Sequence, residues 1–274
     1  MRRHLIVLDL DGTLLKNDKT IPTRTFHVLQ QAAREGHLLA IATGRPYRAS
    51  KMYYQQLGLR TPIVNSNGAY VFHPGDRSFV PHHSPLDLET AITVIETCRA
   101  FQVNNIVAEV IDDIYLEHYD EKFIETFTLN AKPAAHGSLE NILPTDPTSL
   151  LVYPRADNAE ELRNIISGKR SQGVDQRSWG APYNLIEVIR AGNSKAMGLR
   201  KIVEYCNLSM KDVIAFGDEN NDLEMLREAG TGVAMGNASA EAKRTADEVT
   251  LTNEEDGIAL YLEERLKLKP TSTT

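Results

Sequence analysis

His4-Leu5-Ile6-Val7-Leu8 runs directly into Asp9-Leu10-Asp11-Gly12-Thr13-Leu14, and the reading of this junction decides the fold. The apolar run predicts a buried strand, and its abrupt end in two acids ahead of a glycine predicts a turn that carries polar groups out of a sheet. Outward from it the pattern repeats. Pro22 and Gly36 bracket a helix predicted over Thr23 to Arg34, with Phe26, Leu29 and Ala33 on one face. Leu38 to Ala42 is a second strand, Pro46 and Gly58 bracket a second helix, and Ile63-Val64 resumes the strand pattern before the polar turn Asn65-Ser66-Asn67-Gly68. Short apolar runs alternating with amphipathic segments predict an α/β protein with a Rossmann-like parallel-sheet core.

From Ser84 the character changes. Ser84-Pro85 is expected to cap a helix carrying Leu88, Ile92 and Ile95, and Asn105 to Ile111 with Ile114 to His118 read as hairpin strands. Ser149 to Tyr153, a helix near Asn158 to Ser167 and Tyr183 to Ile189 complete a separate sheet with helices on one face, and Trp179 and Tyr183 read as packing of that sheet. The first pattern returns with Asp212 to Phe216, Thr231 to Ala234 and Glu248 to Leu251, ahead of a polar tail, Lys269 to Thr274, expected to fray. The expected organisation is a discontinuous core, residues 1–83 and 191–274, with an inserted α+β domain, residues 84–190.

Composition narrows the function classes. The 274 residues are 42% hydrophobic and 24% charged, enough to bury a core. The 30 Lys and Arg stand against 37 Asp and Glu, a net charge of −7, with no polybasic run, which argues against nucleic acid and anionic membrane as partners. No apolar stretch approaches the roughly 18 residues of a membrane span, and no signal-peptide pattern opens the chain, so a cytoplasmic protein is expected. Cys98 and Cys206 have no metal-type or redox spacing and read as packing.

In a parallel α/β sheet, ligands bind beyond the carboxyl ends of the strands. Asp9 and Asp11 follow the first strand, Thr43-Gly44-Arg45 the second, and Gly217-Asp218-Glu219-Asn220-Asn221-Asp222 the strand ending at Phe216, while Lys195 opens a helix after Asn193-Ser194. Carboxylates gathered at strand ends repel one another unless a hard cation lies between them, and Mg²⁺ suits such a site together with phosphate oxygens. Lys195 and Thr43 fit the neutralisation of phosphoryl oxygens. One carboxylate can attack phosphorus while a second, two residues away, protonates the departing oxygen and later activates water, which assigns Asp9 and Asp11. Thr43 reads either as a cap of the helix opened by Pro46 or as a phosphate contact, Arg45 either as a surface charge or as a phosphate contact, and Asn67 either as a left-handed turn residue or as a substrate contact.

Taken in order, Asp9-Leu10-Asp11-Gly12-Thr13-Leu14, Thr43-Gly44-Arg45, Ser194-Lys195 and Gly217 to Asp222 resemble the four motifs of the haloacid dehalogenase-like phosphatases. Asn67-Gly68-Ala69 and an insert of about a hundred residues between the second and third motifs resemble the Cof-type subfamily, whose large α/β cap closes over sugar phosphates and related metabolites. The resemblance covers nearly the whole chain. It implies Asp9 as nucleophile and Asp11 as general acid/base, with the Asp11 carbonyl on Mg²⁺, Asp218 as a direct metal ligand, and Asp222 binding through water or orienting Lys195. Thr43, Gly44, Arg45, Asn67, Lys195 and Asn221 are then the substrate and phosphate contacts. Ala196 stands where the family has a glycine, a small-for-small change that leaves the lysine in place. The implied activity is hydrolysis of small phosphomonoesters through an aspartyl-phosphate. A phosphoryl transferase or mutase, a phospho-acceptor signalling protein and an idle binding protein are the rivals. The oligomeric state is left open.

Overall fold

The computed structural model describes residues 3–127, 131–169, 173–179 and 184–268. Two compact units form, one from the described parts of Met1–Arg45, Ser50–His82 and Ser194–Thr274, the other from Pro46–Ala49 and His83–Asn193. The chain opens with β1 (Leu5–Leu8), α1 (Thr23–Arg34), β2 (Leu38–Ile41), α2 (Tyr47–Gln56), β3 (Ile63–Asn65), β4 (Tyr70–Phe72) and β5 (His82–His83). There follow α3 (Leu88–Ala100), β6 (Asn105–Val110), β7 (Asp113–Leu116), α4 (Glu121–Phe127), β8 (Ala135–His136), α5 (Leu139–Ile142), β9 (Ser149–Tyr153), α6 (Ala159–Ser167), β10 (Val174–Trp179) and β11 (Leu185–Arg190). The chain then returns through α7 (Lys195–Tyr205), β12 (Val213–Gly217), α8 (Leu223–Glu228), β13 (Thr231–Ala234), α9 (Ala240–Thr245), β14 (Glu248–Val249) and α10 (Gly257–Leu266).

In the first unit the main sheet runs β14-β13-β12-β1-β2, every pair parallel. All four residues of β1 are fully buried. Leu5 and Val7 pack with Leu199 and Ile202 of α7, so Ile6 and Leu8 project to the opposite side, and a strand covered on both faces has to be apolar throughout. Leu8 is in register with Ile41 of β2 and Phe216 of β12. The residues that follow these three strands therefore emerge along one edge of the sheet, as the sequence pattern requires of a binding edge.

The second unit is a six-stranded sheet of order β10-β11-β9-β6-β7-β8. Ile106, Val152 and Ile186 pack against Val94 and Ile95 of α3 and Leu162 of α6. Helices do not keep to that face: Val107, Leu151 and Leu185 point the other way and are covered by Phe123 and Ile124 of α4. An apolar second face needs its own cover, which the helices-on-one-face reading did not supply. The cap of α3 is also different. Asp87, not Ser84-Pro85, closes its start by accepting from the Thr90 amide at 3.0 Å, while Leu86 is tied to the Pro147 carbonyl. Tyr183 and residues 269–274, both given expectations above, lie outside the described residues. Cys98 is buried, whereas Cys206, just after α7, is half-buried; both are free thiols.

Candidate active site

Asp9 leaves the end of β1 with 5% of its surface exposed. Its Oδ1 accepts from Lys195 Nζ at 2.6 Å, and the same ammonium donates to Asp222 Oδ1 at 2.7 Å. Lys195 reaches this point because Ser194 caps α7, accepting from the Met197 amide at 3.2 Å, which makes the lysine the first helical residue. Asp222 divides its oxygens: Oδ1 takes the lysine, and Oδ2 accepts from the amides of Asp218 and Glu219 at 3.0 and 3.1 Å. The loop after β12 is thereby wrapped around its own acid. Asp218 Oδ1 accepts from Thr13 Oγ1 at 2.8 Å. Gly12 has φ +74°, and a Cβ there would lie 2.2 Å from Asp218 Oδ2, so only glycine allows the loops after β1 and β12 this approach.

Asp9, Asp218 and Asp222 each offer an oxygen within 4.8 Å of the others, and all three are buried. Burial raises Asp218 to about 8, with Asp9 and Asp222 adding and Thr13 and Lys195 opposing. Burial also raises Asp9 to about 7, the Lys195 charge opposing and Asp222 adding. Burial alone would lower Lys195, but Asp222 and Asp9 overcome it and hold the ammonium above its ordinary value. One lysine thus does not neutralise three buried acids. An all-oxygen cluster short of positive charge suits a hard divalent cation, and these residues fit one.

Asp11 points elsewhere. Arg45 grips its carboxylate with both prongs, Nε to Oδ2 and Nη2 to Oδ1 at 2.6 Å each, and Lys19 Nζ adds a third bond at 2.8 Å. Burial would raise Asp11, but the Arg45 hydrogen bonds and charge, with Lys19, hold it down at about 2. Thr43 is buried at the end of the β2 segment, and its Oγ1 accepts from the Arg45 amide at 3.1 Å, which leaves its hydroxyl proton to donate. Ser66, Asn67 and Gly68 have successive φ values of 48°, 53° and 93°, a run of left-handed backbone that is costly for the first two. The turn is held by close packing: the Asn67 amide donates to the Thr43 carbonyl at 3.2 Å, and Asn67 Oδ1 accepts from Asn221 Nδ2 at 3.0 Å. A Cβ on Gly44 would stand 3.2 Å from the Asn67 side chain. Asp9, Asp11, Thr43, Gly44, Arg45, Asn67, Lys195, Asp218, Asn221 and Asp222 all belong to the first unit.

The family model of the haloacid dehalogenase-like hydrolases matches residues 6–262. The chain belongs to that family. This haloacid dehalogenase-like hydrolase is 46% identical over 265 residues to the 5-amino-6-(5-phospho-D-ribitylamino)uracil phosphatase YitU of Bacillus subtilis (strain 168), covering 97% of this chain and 98% of that protein. It is 32% identical over 282 residues to the pyridoxal phosphate phosphatase YbhA of Escherichia coli (strain K12), covering 96% and 98%. The crystal structure of a haloacid dehalogenase-like hydrolase from Bacteroides thetaiotaomicron superposes with a TM-score of 0.83 at 27% identity, over 96% of this chain and 99% of that one. Among the described residues no helix is long and apolar enough to cross a membrane.

Several groups that shape the site in this haloacid dehalogenase-like hydrolase escape sequence reasoning. Thr13 lies inside the first motif with no role assigned by the sequence, yet its hydroxyl fixes Asp218. Asn237 donates to the Gly12 carbonyl at 2.8 Å and accepts from the Asn253 amide at 3.1 Å, while Asn253 donates to the Leu15 carbonyl at 2.8 Å. These two asparagines bind the loop after β1 to the chain's last quarter. Lys19 and Tyr53 likewise carry no signal in the sequence. Ala196, the one departure from the family pattern noted above, is buried in α7 beside a lysine that is in place.

Proposed function

We propose that this chain is a Mg²⁺-dependent phosphatase that hydrolyses small phosphomonoesters through an aspartyl-phosphate on Asp9. The observation that carries the reading is the buried cluster of Asp9, Asp218 and Asp222 with Lys195 engaging Asp9 at Oδ1 alone. Asp9, Asp218 and the Asp11 backbone carbonyl would hold the cation, with Asp222 behind them orienting Lys195. Bound there, Mg²⁺ supplies positive charge beside the phosphoryl oxygens. Lys195, the Thr43 hydroxyl and the Gly44 amide hold those oxygens, and Arg45, Asn67 and Asn221 complete the polar edge. Asp9 Oδ2 bonds to phosphorus as the ester P–O bond breaks, and Asp11 passes a proton to the departing oxygen. Asp11 is ionised in the free protein, so a monoanionic ester, whose own pKa is about 6, can bring that proton. In the second half Asp11 takes a proton from water, the water oxygen bonds to phosphorus, and Asp9 is released with inorganic phosphate.

For the substrate, identity of 46% over 97% of the chain supports a phosphorylated polyol carried on a heterocycle, with 5-amino-6-(5-phospho-D-ribitylamino)uracil as first choice. The test is phosphate release from a panel holding that compound, pyridoxal phosphate and common sugar phosphates, with Mg²⁺ and with EDTA. Release that needs the metal and disappears in Asp9→Asn is the expected result. Release by Asp9→Asn at an undiminished rate would remove Asp9 as nucleophile. A trapped phospho-Asp9 that water does not discharge would favour a transferase.

A further inference from the structure

Asp11 is held by two cations, and both of them lead to one buried residue that the reaction does not otherwise use. Tyr53, on α2, is 3% exposed. Its hydroxyl donates to the Lys19 carbonyl at 2.9 Å, and its ring centroid lies 5.5 Å from Cζ of Arg45. Lys19 in turn donates to Asp11 Oδ1 at 2.8 Å, and Arg45 makes its two bonds of 2.6 Å to the same carboxylate. The four residues come from three separate segments and close into a ring, with Lys19 entering it through its backbone carbonyl on one side and its ammonium on the other.

The Lys19 end of the ring is built with some strain. Lys19 has φ 65°, an unusual backbone for a residue with a Cβ. The surrounding turn is closed by Lys16 N to Thr20 O at 3.0 Å and Lys19 N to Lys16 O at 2.9 Å, and Asp18 accepts from both the amide and hydroxyl of Thr20. These bonds shape the turn internally, Glu254 holds it at the Asn17 amide and the Lys16 ammonium, and the Tyr53 hydroxyl ties its Lys19 end to α2. The Asp11 side chain is 43% exposed, and its carboxylate is held by Arg45 and Lys19. Both residues that hold the carboxylate touch Tyr53.

We infer that Tyr53 is a positioning residue for Asp11, acting through Arg45 and Lys19 to fix where the carboxylate meets the leaving oxygen. The inference rests on the acid role given to Asp11 above. Proton transfer tolerates little misplacement, so loosening the ring slows the step that needs the proton and spares a leaving group that departs without one.

The experiment measures kcat/KM, which reports phosphoryl transfer to Asp9, for an alkyl phosphate from the panel and for p-nitrophenyl phosphate. The variants are Tyr53→Phe, which keeps the ring and loses the hydroxyl, and the half-exposed Lys19→Met, with Asp11→Asn as reference. Tyr53→Phe and Lys19→Met should lose about tenfold or more on the alkyl ester and change little on the aryl ester. In an Asp11→Asn background Tyr53→Phe should move the ratio between esters no further. Equal losses on both esters, or none, overturn the inference. If Asp11→Asn shows the split between esters and Tyr53→Phe does not, only the positioning inference fails. If Asp11→Asn itself shows no split, the acid role fails and takes the inference with it.

Discussion

Lys195 and Asp222 form an ion pair of 2.7 Å in which the lysine side chain is 1% exposed and the carboxylate fully buried. The ammonium also holds Asp9, so it is the positive centre of a cluster with three acids. Replacing it by a methylene chain of similar length leaves those acids facing each other out of water. Lys195→Met is expected to cost roughly 3–5 kcal/mol of stability, as removal of one partner from a buried pair does. The loss should be greater at pH 8 than at pH 6, because protonation relieves the acids. Turnover should fall on the order of a thousandfold. Thermal melts at the two pH values check the first claim, and steady-state kinetics the second.

The raised carboxyls predict a pH-dependent stability that a metal reverses. Asp218 is raised from 3.8 to about 8, and Asp9 from 3.8 to about 7, burial being the main cause for each. A raised acid binds its proton more tightly folded than unfolded. Its contribution is therefore complete below pH 3.8 and is lost as the pH climbs from there through about 8. In EDTA the melting temperature should decline across pH 6 to 8.5. Millimolar Mg²⁺ should restore it most at the alkaline end, where protons no longer compete for the same oxygens. Thr13→Val removes the 2.8 Å bond that helps keep Asp218 ionised, so it should weaken Mg²⁺ binding at pH 7 more than at pH 9. Calorimetric titration with the metal alone tests this, and a pH-independent affinity would contradict it.

Which features were legible in the sequence follows from how far each signal reaches. β1 could be read because burial on both faces forces a continuous apolar run, and the acids at its end had no packing reason to be there. Lys195 could be read because Ser194 marks a helix start locally. β10 could not: Val-Asp-Gln-Arg-Ser-Trp has four polar residues in a row and no apolar run, yet it is an edge strand paired antiparallel with β11 at six positions. Asp87 is hard to pick out as the cap of α3 because Ser84-Pro85, three residues earlier, has the more familiar cap signature. Tyr53 and Lys19 meet across 34 residues, and Asn237 meets Gly12 across 225, separations at which no local pattern exists. Chemistry at strand ends is written locally, and the groups that hold that chemistry in place are written by tertiary packing.

Two glycines carry the close approach of the site loops. Gly12 at φ +74° faces Asp218, and Gly68 at φ +93° faces the Ser194 carbonyl, which a Cβ would approach to 2.1 Å. Gly12→Ala should cost about 1–2 kcal/mol from the left-handed backbone alone. Its clash with Asp218 displaces a side chain of the proposed metal site, so activity should fall about a hundredfold or more. Gly68→Ala meets backbone rather than a side chain and should destabilise more than Gly12→Ala, with Lys195 displaced through Ser194. Denaturant midpoints rank the two, and equal midpoints would show that the Ser194 contact relaxes at no cost.

Away from the site, His37 gives the fold a weakness to acid. The residue is 4% exposed at the entry to β2, and its Nδ1 accepts from the His4 amide at 3.1 Å, with the two rings stacked at a centroid distance of 5.5 Å. An accepting Nδ1 belongs to the neutral ring, and protonating it would set a second N–H against the His4 donor. Burial lowers His37 below its ordinary 6.5, the neighbouring His4 adds to the effect, and Glu35 opposes it. A histidine with a depressed pKa binds its proton more weakly folded than unfolded. Its contribution is present above pH 6.5 and is lost as the pH falls through the lowered value. The raised acids Asp9 and Asp218 change in the opposite sense over the same range, so the wild-type profile mixes the two effects. His37→Gln keeps an oxygen that can accept from His4 and removes the titration. Relative to wild type, the variant should lose less stability between pH 7 and pH 5.5 in urea unfolding with EDTA present. Parallel profiles would show that the folded protein accommodates the His37 proton, and the His4 bond would then have no bearing on acid stability.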